Sequence, residues 1–558
     1  MLSSKAPTAS QPFFQRLGIL LSLSVLLTLT VITVPAQGDR QQSTTKVGAP
    51  TANIGTRSSP FPPPKENDIT FVTDDGATLD TACRYNSSGP ITFEIKITRY
   101  VGPVNADGTL QNVDQLISNN VISPTATLLM PAYDVDYSAQ SNPERDRVSF
   151  NGNDLGFLTG VDNTWKMNSF EIPVRLLKFP ARAANGSAPT PAINTVRIDI
   201  DVNNGGWCTA IDWGTNTFKA LSPIILIHGN NQSGAFFERR GFVGVLQSHK
   251  MPYDNSINLP VTTVAANGLA LNDPVKGIPG IVKSFGVDSV HLVVHSKGGL
   301  DSREYLASYQ PGNESRFTIL SYTSLSTPHN GSAGADVLMA RDDALKLVAE
   351  IGAVEFKDFP SFIEKLAESL KSDDGTPNLT TAFVAGFNNR NLGRLPNNTV
   401  FNTIAADADT NNNDSIDRSF PDEYEALRAE NAALAAKDNP FLGPLNKSRV
   451  AVNILYQTLR DTRAVTVSDP INRCNIFGRN CKTVVTIQSL PNETPLGNDT
   501  LVTIPSGHGV GSLASRVNHS MTFSGSGGRN HSNVADGGVA ETVIPWIVDV
   551  EKTRGDLR

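Results

Sequence analysis

Ser289-Val-His-Leu-Val-Val-His-Ser296-Lys-Gly-Gly299 decides how this chain reads. A mostly apolar run the length of a strand meets a serine, and two glycines follow before Leu300-Asp-Ser-Arg-Glu-Tyr-Leu306, a helical stretch. A sharp strand-to-helix turn of this kind is a nucleophile elbow. It lifts a serine hydroxyl clear of the backbone and sets it beside the partial positive charge of a helix N-terminus. Ser296 is therefore the candidate nucleophile of a serine hydrolase. Val294 stands where the elbow pattern has its first glycine, which predicts a slightly relaxed turn.

Outward from this stretch, short Val/Ile/Leu runs alternate with helical stretches from about residue 221 onward. Pro223-Ile-Ile-Leu-Ile-His228, Val261-Thr-Thr-Val-Ala265, Val290–Val294, Phe317-Thr-Ile-Leu-Ser321 and Val400-Phe-Asn-Thr-Ile404 are candidate strands. Continuous apolar runs suit a mostly parallel sheet covered on both faces, so an α/β fold is predicted for 221–558. Residues about 333–372 and 420–463 break the alternation and read as helical insertions. The first carries an apolar stripe that suits either a lid over the site or an ordinary cap.

His228-Gly229-Asn230 ends the first strong strand, where a turn presents backbone N–H groups to whatever sits at the strand ends. The amides of Asn230 and Lys297 are the candidate oxyanion donors. His228 reads as a residue that holds this loop.

From about 221 to 552 the chain resembles α/β-hydrolases, and within them secreted bacterial lipases and carboxylesterases. The resemblance is carried by Ile227-His-Gly229, His295-Ser-Lys-Gly-Gly-Leu-Asp-Ser-Arg303, Ser326-Thr-Pro-His-Asn-Gly-Ser332 and Asn378-Leu-Thr-Thr…Phe387-Asn388. It implies the order Ser, Asp, His along the chain, so the base comes late. His531, in a loop before the last helix, stands where the family has its histidine; His519 and His508 are the alternatives. Gly497-Asn-Asp499-Thr-Leu-Val502 is similar to the segment that carries the family's aspartate, with Thr500 in place of a glycine. Asp407 and Asp409 are the rival acids. The implied substrate is an ester or lipid, and the chemistry requires no organic cofactor. Other acyl transfer on polyesters or amides, or a surface-binding protein with an inactive hydrolase domain, are the alternatives.

The Asp409 stretch has a second reading. Asp409, Asn411, Asn413 and Asp417 place oxygen ligands at alternate positions as a calcium loop does, although Asp414 replaces the turn glycine and Phe420 the closing glutamate. A structural calcium here and a solvated acidic turn are the two expectations.

The rest of the chain frames this domain. Lys5 and Arg16 precede an apolar stretch, Leu17 to Val34, ending in small residues, which predicts a signal peptide over 1–36 or an uncleaved anchor. Residues 37–66 end in Pro60-Phe-Pro-Pro-Pro64 and read as a disordered linker. Alternating segments between 67 and 220, such as Ile91-Thr-Phe-Glu-Ile-Lys-Ile97, predict a β-sandwich of jelly-roll or immunoglobulin-like kind, either a spacer or a carbohydrate or cell-surface contact. The four cysteines carry no C-x-x-C spacing. In an exported chain they favour disulfides, Cys83 with Cys208 and Cys474 with Cys481. A net charge of −7 argues against nucleic acid as a partner.

Overall fold

The computed structural model describes residues 68–73, 83–139, 141–182, 190–339, 374–411, 456, 459–460, 462–467, 471–473, 482–484, 487–491 and 495–553. The signal-peptide and linker segments, Cys474, Cys481, Asn413, Asp417 and most of both insertions lie outside them. Among the described residues no helix is long and apolar enough to cross a membrane.

Six strands form a parallel sheet in the order Tyr253–Asp254, Ile224–Ile227, Ser289–His295, Thr318–Leu325, Val400–Ala406 and Val517–Phe523. Its central strands are buried throughout, which is why they read as continuous apolar runs. Ile225, Ile227, Leu292 and Val294 face a core that includes Ile281 and Phe285 of the helix Ile278–Phe285 and Leu306 of the helix Lys297–Ser308. Ile224, Leu226 and Val293 face the other way, onto Phe236, Phe242 and the apolar side of the C-terminal helix Gly537–Thr553. Val294 is thus a core residue of this sheet, paired in register with Ile227 and Ser324.

One expected strand is a helix. Val264–Leu271 is helical, and Thr263 caps it by accepting the Ala266 amide on its side chain. The β-branched residues of Val261-Thr-Thr-Val suggested a strand, but three of them precede the helix, and a Thr N-cap followed by Ala-Ala is also a helix start. The two-residue edge strand Tyr253–Asp254 was too short to show a period.

The described residues between 68 and 219 form antiparallel sheets. One has the order Asp68–Thr73, Gly214–Lys219, Thr125–Tyr133, Cys208–Ile211, Arg84–Tyr85, with Trp165–Pro173 also on Thr125–Tyr133. The other runs Ile91–Ile97, Ala192–Asp199, Arg147–Phe150, Asn153–Phe157. Ile91–Ile97 alternates buried and exposed residues as its sequence predicts. Cys83 and Cys208 form a disulfide. These sheets share a buried core with the parallel sheet. A fully buried ion pair joins the two regions: Arg99 binds Glu551 of the C-terminal helix, and Glu551 Oε1 also accepts the Ser222 amide (2.6 Å) and contacts His291 Nε2 (3.1 Å).

Candidate active site

Ser296 sits between the strand Ser289–His295 and the helix Lys297–Ser308, with φ 53° and ψ −130°. A positive φ on a non-glycine residue costs free energy and is held only where surrounding structure over-determines it. Here the surroundings leave no slack. A Cβ on Gly298 would lie 2.3 Å from the His228 carbonyl oxygen, and one on Gly229 would lie 2.7 Å from Ser296 Cβ. Both glycines are required by close approach, and together they bring the turn after Ile224–Ile227 against the serine.

His531 Nε2 lies 2.8 Å from Ser296 Oγ, and His531 Nδ1 lies 2.9 Å from Asp499 Oδ2. The carboxylate accepts at Nδ1, so that nitrogen carries the hydrogen and Nε2 is left to accept from the serine. Asp499 is fully buried, and its other oxygen accepts the amides of Leu501 (3.0 Å) and Val502 (2.7 Å). Its carbonyl accepts the His531 amide at 2.8 Å, so the two residues are clasped by backbone as well as side chain. Thr500 takes φ 88°. That is a conformation glycine adopts freely and other residues adopt rarely.

The rival groups lie elsewhere. Asp407 accepts Tyr456 Oη (3.0 Å) and the Asp409 amide (3.1 Å), and burial raises its pKa. Asp409 Oδ1 accepts the Asn411 amide at 3.2 Å, an Asx-type turn. His519 stacks on Trp546, 5.3 Å between centroids. His508 bridges Thr403 (2.9 Å) and Thr522 (2.8 Å), and burial lowers its pKa. Asn230 follows Gly229 at the end of the strand Ile224–Ile227, and Lys297 is the first residue of the helix after Ser296. His228 ties its loop, contacting the Gly229 carbonyl through Nδ1 (2.8 Å) and accepting the Leu259 amide on Nε2 (2.9 Å).

Sequence reasoning missed two supporting residues. His295 is fully buried, stacks on Phe236 at 4.6 Å, and places Nε2 2.8 Å from the His531 carbonyl oxygen. Burial, and then the neighbouring His531, hold its pKa well below the usual value, so the ring is neutral. The Lys297 side chain is also buried, with Nζ 2.9 Å from Asp301 Oδ1, while Asn267 donates to Asp301 Oδ2 at 3.0 Å. Desolvation pushes the Asp301 carboxyl up to about 6 even beside that ammonium. Both had a signal: a histidine inside an apolar strand, and a Lys-x-x-x-Asp spacing that puts two charges on one helix face.

Among solved structures the chain is similar to the lipase BlEst2 of Bacillus licheniformis in its mature form, with TM-score 0.33 and 17% identity over 59% of this chain and 92% of that one. A metagenomic carboxyl esterase, MGS0156, gives 0.23 and 19% over 39% and 56%. Phospholipase PlaB of Legionella pneumophila gives 0.23 and 14% over 34% and 40%. No protein-family model matches the chain, and no curated protein sequence matches it.

Proposed function

We propose that this chain is an exported serine hydrolase of carboxylic esters that works through an acyl-enzyme on Ser296. The observation that carries the reading is the continuous relay from Ser296 Oγ through His531 to a buried Asp499, at 2.8 and 2.9 Å. A histidine so placed takes the serine proton as Oγ attacks the ester carbonyl, and the aspartate stabilises the imidazolium that forms. The amides of Asn230 and Lys297 receive the oxyanion. The ester C–O bond then breaks, and the departing alcohol takes its proton from His531. Water, deprotonated by the same histidine, cleaves the acyl-serine and regenerates the enzyme.

By sequence alone, the apolar residues of the 333–372 stretch are the ground for reading acyl chains rather than small acyl groups as substrate. The disulfide Cys83–Cys208 and the N-terminal apolar stretch support export. We read residues 67–220 as a β-sandwich appended to the hydrolase, and the Asp409 stretch as a candidate calcium loop.

A fluorophosphonate probe and a panel of nitrophenyl esters of rising acyl length test this reading. Expected are Ser296-dependent labelling and hydrolysis, both lost in Ser296→Ala. Labelling without cleavage of any ester would redirect the site to other acyl-transfer chemistry. Absence of labelling would remove the enzyme reading.

A further inference from the structure

Lys297 is the first residue of the helix Lys297–Ser308. Ser296 stands in the N-cap place but turns its hydroxyl to His531, so no side chain caps the first amides of this helix. The Lys297 side chain is harder to explain. A lysine in a first helical turn opposes the helix dipole, and a fully buried one is rare without a partner. Lys297 is 0% exposed, and its partner Asp301 lies four residues later. Cation before anion is the less favourable order for such a pair. The chain accepts all of this at the residue next to Ser296.

The pair belongs to a longer run of contacts. Lys297 Nζ donates to Asp301 Oδ1 (2.9 Å), and Asn267 Nδ2 donates to Asp301 Oδ2 (3.0 Å). The same Asn267 nitrogen reaches the Pro260 carbonyl oxygen (3.3 Å). One residue back, the Leu259 amide donates to His228 Nε2 (2.9 Å), and His228 Nδ1 meets the Gly229 carbonyl oxygen (2.8 Å). Asn230 follows. Lys297 and Asn230, the two candidate oxyanion donors, are therefore the ends of one run of contacts that passes through Asp301. Lys297, Asp301, Asn267 and His228 are each no more than 2% exposed, so water does not compete for these bonds.

Neighbouring elements hold the run in place. Asn267 lies on the helix Val264–Leu271, whose Val264 amide donates to Asn378 Oδ1 (2.8 Å). A Cβ on Gly268 would lie 2.6 Å from Glu304 Cγ, so this helix and Lys297–Ser308 pack at close range. The Lys297 charge acts in the same sense as the contacts. Nε2 of His228 accepts from Leu259 only while the ring is neutral. Burial, with the Lys297 charge adding to it, lowers the His228 pKa and favours that form.

We propose that Asp301 is a positioning residue for the oxyanion hole: through Lys297 on one side and Asn267 on the other, it holds the two donor amides at a fixed separation. The proposal rests on the ester-hydrolase reading above. An oxyanion hole works by pre-organisation, because donors that must move as charge develops stabilise it less. Asp301 is buried and acts only through these partners. Its effect falls on the tetrahedral state, so it belongs in kcat and not in KM.

The test uses the full chain, with nitrophenyl esters for turnover, a fluorophosphonate to label Ser296 and a boronic acid as tetrahedral analogue. Asp301→Ala is expected to lower kcat per labelled serine on the order of 10- to 100-fold, with KM within about twofold of wild type. Boronic acid affinity should fall by a similar factor, while the fluorophosphonate still labels Ser296 to completion. Asp301→Ala leaves the Lys297 ammonium buried and unpaired. A second variant, Lys297→Met with Asp301→Leu, therefore removes both charges together, a change that buried pairs tolerate. It should recover the wild-type Tm and keep the loss in kcat. Wild-type kcat in that double variant would overturn the proposal. So would an Asp301→Ala chain whose kcat stays within about twofold of wild type, or whose loss lies in KM alone, because the pair would then only pack the helix. A wild-type chain that is labelled but cleaves no ester would remove the ester reading, and the labelling rate would then decide: a fall in Asp301→Ala supports the positioning role, and an unchanged rate overturns it. A wild-type chain that is not labelled overturns both.

Discussion

His295 Nε2 donates to the backbone carbonyl of His531 across 2.8 Å, so the residue before Ser296 holds the loop that carries His531. The contact ties two segments 236 residues apart and helps to fix His531 relative to Ser296. Loss of that donor should loosen the relay without removing any of its members. His295→Ala is expected to lower kcat on the order of 10- to 100-fold with KM little changed, the range seen when a supporting contact shifts a reacting group by about 1 Å. Steady-state kinetics on one nitrophenyl ester checks it; a kcat within twofold of wild type would show that the loop holds its place without His295.

Asp499→Asn should leave the fold intact and cut kcat on the order of 10⁴-fold, because the amide presents the wrong tautomer to His531. Asp407→Asn and Asp409→Asn should stay within a few-fold of wild type, since Asp407 Oδ1 binds Tyr456 and the Asp409 amide and Asp409 Oδ1 binds the Asn411 amide. Inverted results would transfer the acid's role to the Asp407 stretch.

Ser296→Ala, His531→Ala and the double variant should lose nearly the same activity, on the order of 10⁶-fold each, because members of one relay are not additive. A double variant whose loss equals the product of the two singles would show that serine and histidine act independently.

Thr500 is strained at φ 88°, where L side chains clash with the following peptide. Thr500→Gly should therefore raise stability by about 1 kcal/mol while leaving turnover unchanged. Denaturant midpoints measure it, and a fall in midpoint would mean that Thr500 makes contacts worth more than its strain.

The protein should lose stability as pH rises through the range in which two buried carboxyls titrate. Burial pushes the carboxyl of Asp146 up to about 6 and that of Glu144 up to about 9. The folded state then holds protons that the unfolded chain has already released, so the stabilisation is complete below the ordinary carboxylate range and fades as pH climbs through those raised values. Urea midpoints should fall between about pH 5 and about pH 9. A slope that is unchanged in Glu144→Gln would assign the effect to other groups.

Much of this was legible in the residues. The strand, serine and paired glycines of 289–299 are a local pattern, since an elbow is built from consecutive residues. The parallel sheet was legible in continuous apolar runs, because strands covered on both faces have no polar side. Thr263 shows where that reading failed: a Thr-Val pair serves a strand or a helix cap equally, and only the helix's packing against its neighbours decides.

The sequence by itself determined which residue types the candidate site could use and their order along the chain, because the proposed chemistry needs a hydroxyl, an imidazole and a carboxylate. Only the tertiary structure decided which aspartate meets His531, that His295 holds the His531 carbonyl, and that the buried Glu144 and Asp146 face each other. Those are facts of distance between segments far apart in the chain, and side-chain chemistry does not encode distance until the sheets have brought the segments together.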